Sequence, residues 1–122
     1  MQLDTRSRAI TDSVAISGQL RLAGYDKTRE ADRESLFATN SGHSLLTSIT
    51  VIINYLTLDG RQLHSRRLTL PCSIPPGQTR RLDFRSWDRQ HSFYYSGSRA
   101  PQRTPATPYA VTIIPVALIF HD

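Results

Sequence analysis

Cysteine is nearly absent. Cys72 stands alone among 122 residues, so no internal disulfide can form and the redox compartment stays open. An isolated cysteine reads first as a small buried apolar residue and only second as a nucleophile. Lysine is as scarce, with Lys27 the sole example. No apolar run approaches the ~20 residues that cross a bilayer as a helix; the longest, AVTIIPVALIF at 110–120, is broken by Thr112 and Pro115, so no membrane span is expected. The four histidines, His43, His64, His91 and His121, show no His-x-His, His-x₃-His or Cys-x₂-Cys spacing, and neither a metal nor a cofactor is expected. The opening MQLDTRSRAITDSVAISG lacks the positive, apolar, small-residue order of a secretory signal. A protein that stays in the cytoplasm and a chain that follows a removed leader both fit that absence. Helical signal is also thin: GYDKTREADRE at 24–34 mixes charges without an apolar stripe and reads as a charged loop or a short turn of helix.

What is present suits one soluble domain. At this length roughly two-thirds of the unfolded surface can be buried without staples, and 39% hydrophobic with 20% charged residues is an ordinary globular composition. We expect a single domain over 12–122 with an N-terminal extension over 1–11. The net charge of +5 is unevenly placed. Residues 1–34 carry six Lys/Arg and six Asp/Glu, whereas 61–103 carry nine Arg against Asp83 and Asp88.

The periodicity is that of strands. SVAISGQLRL alternates Val14, Ile16, Leu20 and Leu22 around Gly18 and reads as a half-buried strand. SLFATN at 35–40 runs into the turn signal NSGH. TSITVIINYLTL and RQLHSRRLTL flank Asp59-Gly60, the preferred two-residue type I′ loop. That loop pairs Leu56 with Leu63, Tyr55 with His64 and Val51 with Leu68, which leaves Leu63 on the wrong face from Leu68 and Leu70. A bulge near Ser65, Arg66 and Arg67 would restore one face. Pro75-Pro76-Gly77 spells a turn, and TRRLDF follows with Leu82 and Phe84 inward. SGSRAPQRTPATP is a long loop, and YAVTIIPVALIF closes the chain as a strand apolar on both faces, where Pro115 marks an edge or a bulge. Six to seven short strands predict an all-β, antiparallel, immunoglobulin-like sandwich, with a barrel second.

Residues 36–84 carry a resemblance. The run of Asn40, Ser41-Gly42, a long apolar strand, Asp59-Gly60, Pro76-Gly77-Gln78-Thr79 and a Leu-x-Phe strand is similar to small bacterial β-sandwich domains of the FxLYD type. The chain as a whole also looks like small proteins of Bacteroidetes that share a segment resembling SWDRQHSFYY. The resemblance implies an envelope-associated or secreted sandwich with no established enzymatic activity, at the periplasm or cell surface.

SWDRQHSFYY at 86–95 holds the only Trp and three further aromatics. Asp88, His91 and Ser92 are the residue types of a triad, and Cys72 with His91 or His64 would be the thiol form, but no nucleophile motif surrounds them. Trp87 and Phe93 read as caps on the open end of the sandwich. Arg89, His91, Tyr94, Tyr95 and Arg99, with Arg66 and Arg67 as a neighbouring basic patch, are the candidate working surface, as cation donors and stacking anchors. The expected role is a non-catalytic structural or protein/glycan interaction module. The alternative is a basic nucleic-acid or polyanion binder, to which Arg forks and aromatic faces are suited. The sequence leaves homo-oligomerisation open.

Overall fold

The computed structural model describes residues 6–27, 31–98 and 106–122. The fold is the all-β antiparallel sandwich that the patterning predicts, with eight strands and one short helix among the described residues. One sheet orders β1 (Ser7–Ile10), β8 (Thr107–His121), β4 (Leu45–Leu56) and β5 (Gln62–Ile74), and the short β7 (Phe93–Tyr95) pairs in parallel with β8. The other sheet orders β2 (Leu20–Asp26), β3 (Arg33–Asn40) and β6 (Thr79–Arg85). Their inner faces meet in a core that includes Leu36, Ala38, Phe84, Ile49, Val51, Ile53 and Leu118. Among the described residues, no helix is long and apolar enough to cross a membrane.

Three local expectations are corrected. Ser13–Gln19 is a helix, α1, where a strand was expected. Asp12 caps it by accepting the Ala15 N–H at 2.9 Å, and its one buried residue is Ile16, whereas Val14 is 76% exposed. A period of two and one turn of helix cannot be told apart over so few apolar residues. The extension expected over 1–11 contributes β1, whose residues Ser7 to Ile10 pair with His121 to Leu118. Of the charged window at 24–34, residues 24–26 end β2 and residues 33–34 begin β3, while 28–30 lie outside the described residues.

A further correction concerns the hairpin. Gly60, at φ +93°, closes a three-residue loop. Its N–H donates to Thr57 O at 3.0 Å, and the Thr57 N–H donates to Arg61 O at 2.8 Å. This is the type I turn plus left-handed glycine that accompanies three-residue hairpins. The longer loop shifts the register by one, pairing Leu56 with Gln62. Leu63 is then the extra residue, and the register from Tyr55–His64 to Ser48–Pro71 is the expected one. The bulge therefore sits at Leu63, and pairing through Ser65, Arg66 and Arg67 is unbroken.

Other turns follow their residues. Gln78 N–H donates to Pro75 O at 3.1 Å across Gly77 at φ +79°, as the Pro-Gly pair requires. Pro115 lies beside a register shift between Thr50 and Val51, the bulge that a missing backbone donor favours.

Candidate functional site

The alternation of β3 is strict, so Glu34 falls on the same inward face as Leu36, Ala38 and Asn40. It is fully buried, and a buried carboxylate needs donors. It has four. Oε1 accepts the hydroxyls of Tyr25 at 2.7 Å and Tyr55 at 2.6 Å. Oε2 accepts Arg66 Nη2 and the Trp87 backbone N–H, both at 2.7 Å. Tyr25 reaches this point because of a bulge between Ala23 and Asp26, where Gly24 takes φ +66°. The extra residue turns Tyr25 and Lys27 inward where simple alternation would turn them out. Arg66 lies on the inward face of β5, its guanidinium against the rings of Tyr55 and Phe84 at 5.6 and 5.4 Å. Its Nε donates to the Tyr55 hydroxyl at 3.1 Å and its Nη2 to Arg85 O at 2.9 Å.

A second buried pair lies close by. Lys27 Nζ stands 3.3 Å from Asp88 Oδ2, with both side chains almost fully covered, and donates to Phe93 O at 3.0 Å. Asp88 also accepts the N–H groups of Ser92 and Phe93 at 3.1 and 2.7 Å. Between the two pairs sits Trp87, stacked on Tyr55 at 4.7 Å, tilted on Phe93 at 4.9 Å and edge-on to Tyr109 at 5.4 Å. Trp87 and Phe93 thus pack against the core and close this end of the sandwich. Burial foremost, with the Glu34 charge adding to it, holds the hydroxyls of Tyr25, Tyr55 and Tyr109 well above the usual phenol range.

Above this plug lies a cleft of about 320 Å³ lined by Asp32, Arg85, Ser86, Asp88, Arg89 and His91. His91 is the one non-glycine residue at positive φ, +57°, among the described residues, a conformation found more often at functional loops than elsewhere. Its Nε2 lies 2.8 Å from Asp32 Oδ1. Asp88, His91 and Ser92 form no triad: Asp88 is taken by Lys27 and backbone donors, and His91 faces Asp32. Cys72 is half-buried with its thiol on Leu46 O at 3.6 Å, and burial pushes its pKa up to about 11. No group of three or more His, Cys, Asp or Glu converges on a metal position among the described residues.

Of the residues expected to form the working surface, Arg89 and His91 meet in the cleft. Tyr95 packs edge-on against Tyr25 at 4.9 Å, and its N–H donates to Lys27 O, so it serves the plug. Tyr94 is half-buried in β7. Arg99 lies outside the described residues. The Arg66 and Arg67 patch does not exist as a patch, because unbroken alternation sends Arg66 inward to Glu34 and Arg67 outward. Sequence reading missed Glu34, Arg85, Lys27 and Asp32. Extending the alternation of SLFATN back by one step would have found Glu34. No family model, no curated protein and no solved structure matches this chain.

Proposed function

We propose that the chain is a non-catalytic interaction module, envelope-associated as its resemblance implies, whose working surface is the cleft at the plugged end of the sandwich. The observation that carries this reading is the division of charges there. Of the carboxylates there, Glu34 beneath the floor is taken by Arg66, Asp88 in the cleft lining is taken by Lys27, and Asp32 faces His91, while Arg85 and Arg89 line the opening. No carboxylate lies within ion-pair distance of either among the described residues. Guanidinium forks so placed suit a carboxylate on a protein or glycan partner. Two buried ion pairs and an aromatic stack lie behind the floor, an arrangement suited to holding the side chains above it in position for a ligand.

The test is binding of short carboxylate-bearing peptides and acidic oligosaccharides to the wild type and to Arg89→Ala, read by heteronuclear NMR shifts. Shifts should centre on Ser86 to His91, and affinity should fall about tenfold in the variant. Absence of any shift at these residues across the panel would remove the reading. The second reading, a polyanion binder, draws on the pI of about 10.0 and would appear as salt-sensitive retention of any polynucleotide.

A further inference from the structure

The outward face of the β2–β3–β6 sheet carries an arrangement that the fold does not use. In β3, Arg33, Ser35, Phe37 and Thr39 point away from the core, opposite in phase to Glu34, Leu36, Ala38 and Asn40. The register sets Arg21 beside Thr39, Ala23 and Arg81 on either side of Phe37, and Arg33 directly across from Arg85. Two carboxylates share this face by register, Asp26 opposite Ser35 and Asp83 beyond it. Asp83 is paired with Arg81 at 3.1 Å, and its backbone carbonyl accepts Arg33 Nη2 at 3.0 Å. No carboxylate lies within ion-pair distance of Arg21, Arg33 or Arg85 among the described residues.

Like charges directly opposed across a ladder disfavour the pairing, so Arg33 facing Arg85 is a cost to pairing that no ion pair of either residue offsets among the described residues. Phe37 is the second anomaly, a large aromatic 44% exposed in the middle strand of a sheet. Its ring rests on Gly24, where a Cβ would come within 2.8 Å of Phe37 Cδ2. Glycine therefore does two things at this point: it takes the positive φ of the bulge and it leaves room for the ring.

An exposed aromatic residue standing roughly 13 Å along a strand from two opposed arginines fits a chain of sugar rings that carry carboxylates. The ring packs against the C–H face of a sugar, and the forks take carboxylates bidentately. We propose that this face binds an acidic polysaccharide of the uronate type, lying along β3 from Phe37 toward Arg33 and Arg85. Arg85 also lines the cleft, so the two surfaces are continuous, and the proposal rests on the reading of the cleft as a carboxylate site. A single-stranded nucleic acid suits the face less well, because base-binding platforms use several aromatic side chains in succession and this one has a single ring.

Immobilised polygalacturonate tests it, with neutral dextran and single-stranded oligo-dT alongside, at low and high salt. Polygalacturonate should be retained in a salt-weakened manner and dextran should not. Phe37→Ala and Arg33→Ala should each lower affinity about tenfold, with circular dichroism confirming that these exposed substitutions leave the fold intact. Arg67→Ala, on the outward face of the other sheet, should change nothing. Retention that responds to Arg89→Ala but not to Phe37→Ala or Arg33→Ala would overturn the sheet face and leave the cleft standing. Tighter binding of oligo-dT would overturn it in favour of nucleic acid. No retention of polygalacturonate would also overturn it, while the short-ligand NMR panel still decides the cleft by itself.

Discussion

Glu34 shows how much one inward polar residue commits its neighbours to. Its carboxylate takes four donors from β2, β4, β5 and the segment after β6, so both sheets depend on one residue for satisfied buried groups. Removing one partner of a buried pair strands the other charge, whereas replacing both with apolar groups does not. Glu34→Gln should cost about 3–5 kcal/mol in urea unfolding, and Glu34→Leu with Arg66→Met should recover part of it. A deficit of about 2 kcal/mol should persist from the orphaned Tyr55 hydroxyl and Trp87 N–H, whereas the Tyr25 hydroxyl keeps that of Tyr109 at 2.7 Å. A single variant as stable as wild type would mean that water replaces the carboxylate. The same site sets alkaline behaviour. A phenol whose pKa rises on folding contributes stability in full below its unfolded value, near pH 10, and loses that contribution as pH rises through its folded value. Tyr25, Tyr55 and Tyr109 are all raised, so above about pH 10 stability should fall steeply with each further unit. Of the five tyrosines, these three should show phenolate absorbance only together with loss of the far-ultraviolet signal. Titration of all five with the fold retained would contradict this.

At the scale of elements, α1 shows where pattern reading stops. A seven-residue helix is too short to persist by propensity, so it is held by Ile16 in the core and by the Asp12 cap. Ile16→Ala should therefore cost about 2–5 kcal/mol, against about 1 kcal/mol for Asp12→Ala, measured by chemical denaturation. The opposite ranking would place the stability of this turn in its cap. The strands from β3 to β6 and β8 were legible because their apolar residues alternate over many positions. At α1 only Val14, Ala15 and Ile16 are apolar, too few to separate a helical period from that of a strand, and β1, with Ser7, Arg8 and Ala9 exposed, offers no apolar alternation to read. The hairpin was half legible: Asp59-Gly60 marks the turn, but the sequence does not distinguish a two-residue loop from a three-residue loop with an extra Leu63. The misplaced bulge then misdirected Arg66, which is why the Glu34 network was not anticipated. Arg89 and His91 were singled out for their residue type in a loop and line the cleft, as does Arg85, which was passed over because it closes a strand.

At the scale of the whole molecule, the plugged end is where the two sheets are tied together by polar groups as well as by packing. Lys27 directly follows β2 and holds Asp88 and Phe93 O, and its own carbonyl accepts the Tyr95 N–H. The segment from Ser86 to Tyr95 cannot leave the sandwich without exposing this ammonium group, the sole lysine of the chain. Amine acylation of Lys27 is therefore a direct readout of that opening. If the domain unfolds as one cooperative unit, peptide-mapped acylation of Lys27 should be negligible in buffer and should rise along urea with the same midpoint as circular dichroism. If the segment opens locally, labelling should begin at lower urea than loss of the sheets. The geometry favours the first outcome, because Trp87 is stacked on Tyr55 of β4 and packed against Tyr109 of β8. Releasing Lys27 thus means pulling an aromatic ring out of the core as well. Coincident midpoints would make the cleft floor as stable as the fold itself, the property that a preorganised anion site at this end requires. Early labelling would instead make Arg89 and His91 part of a loop that closes only over its ligand.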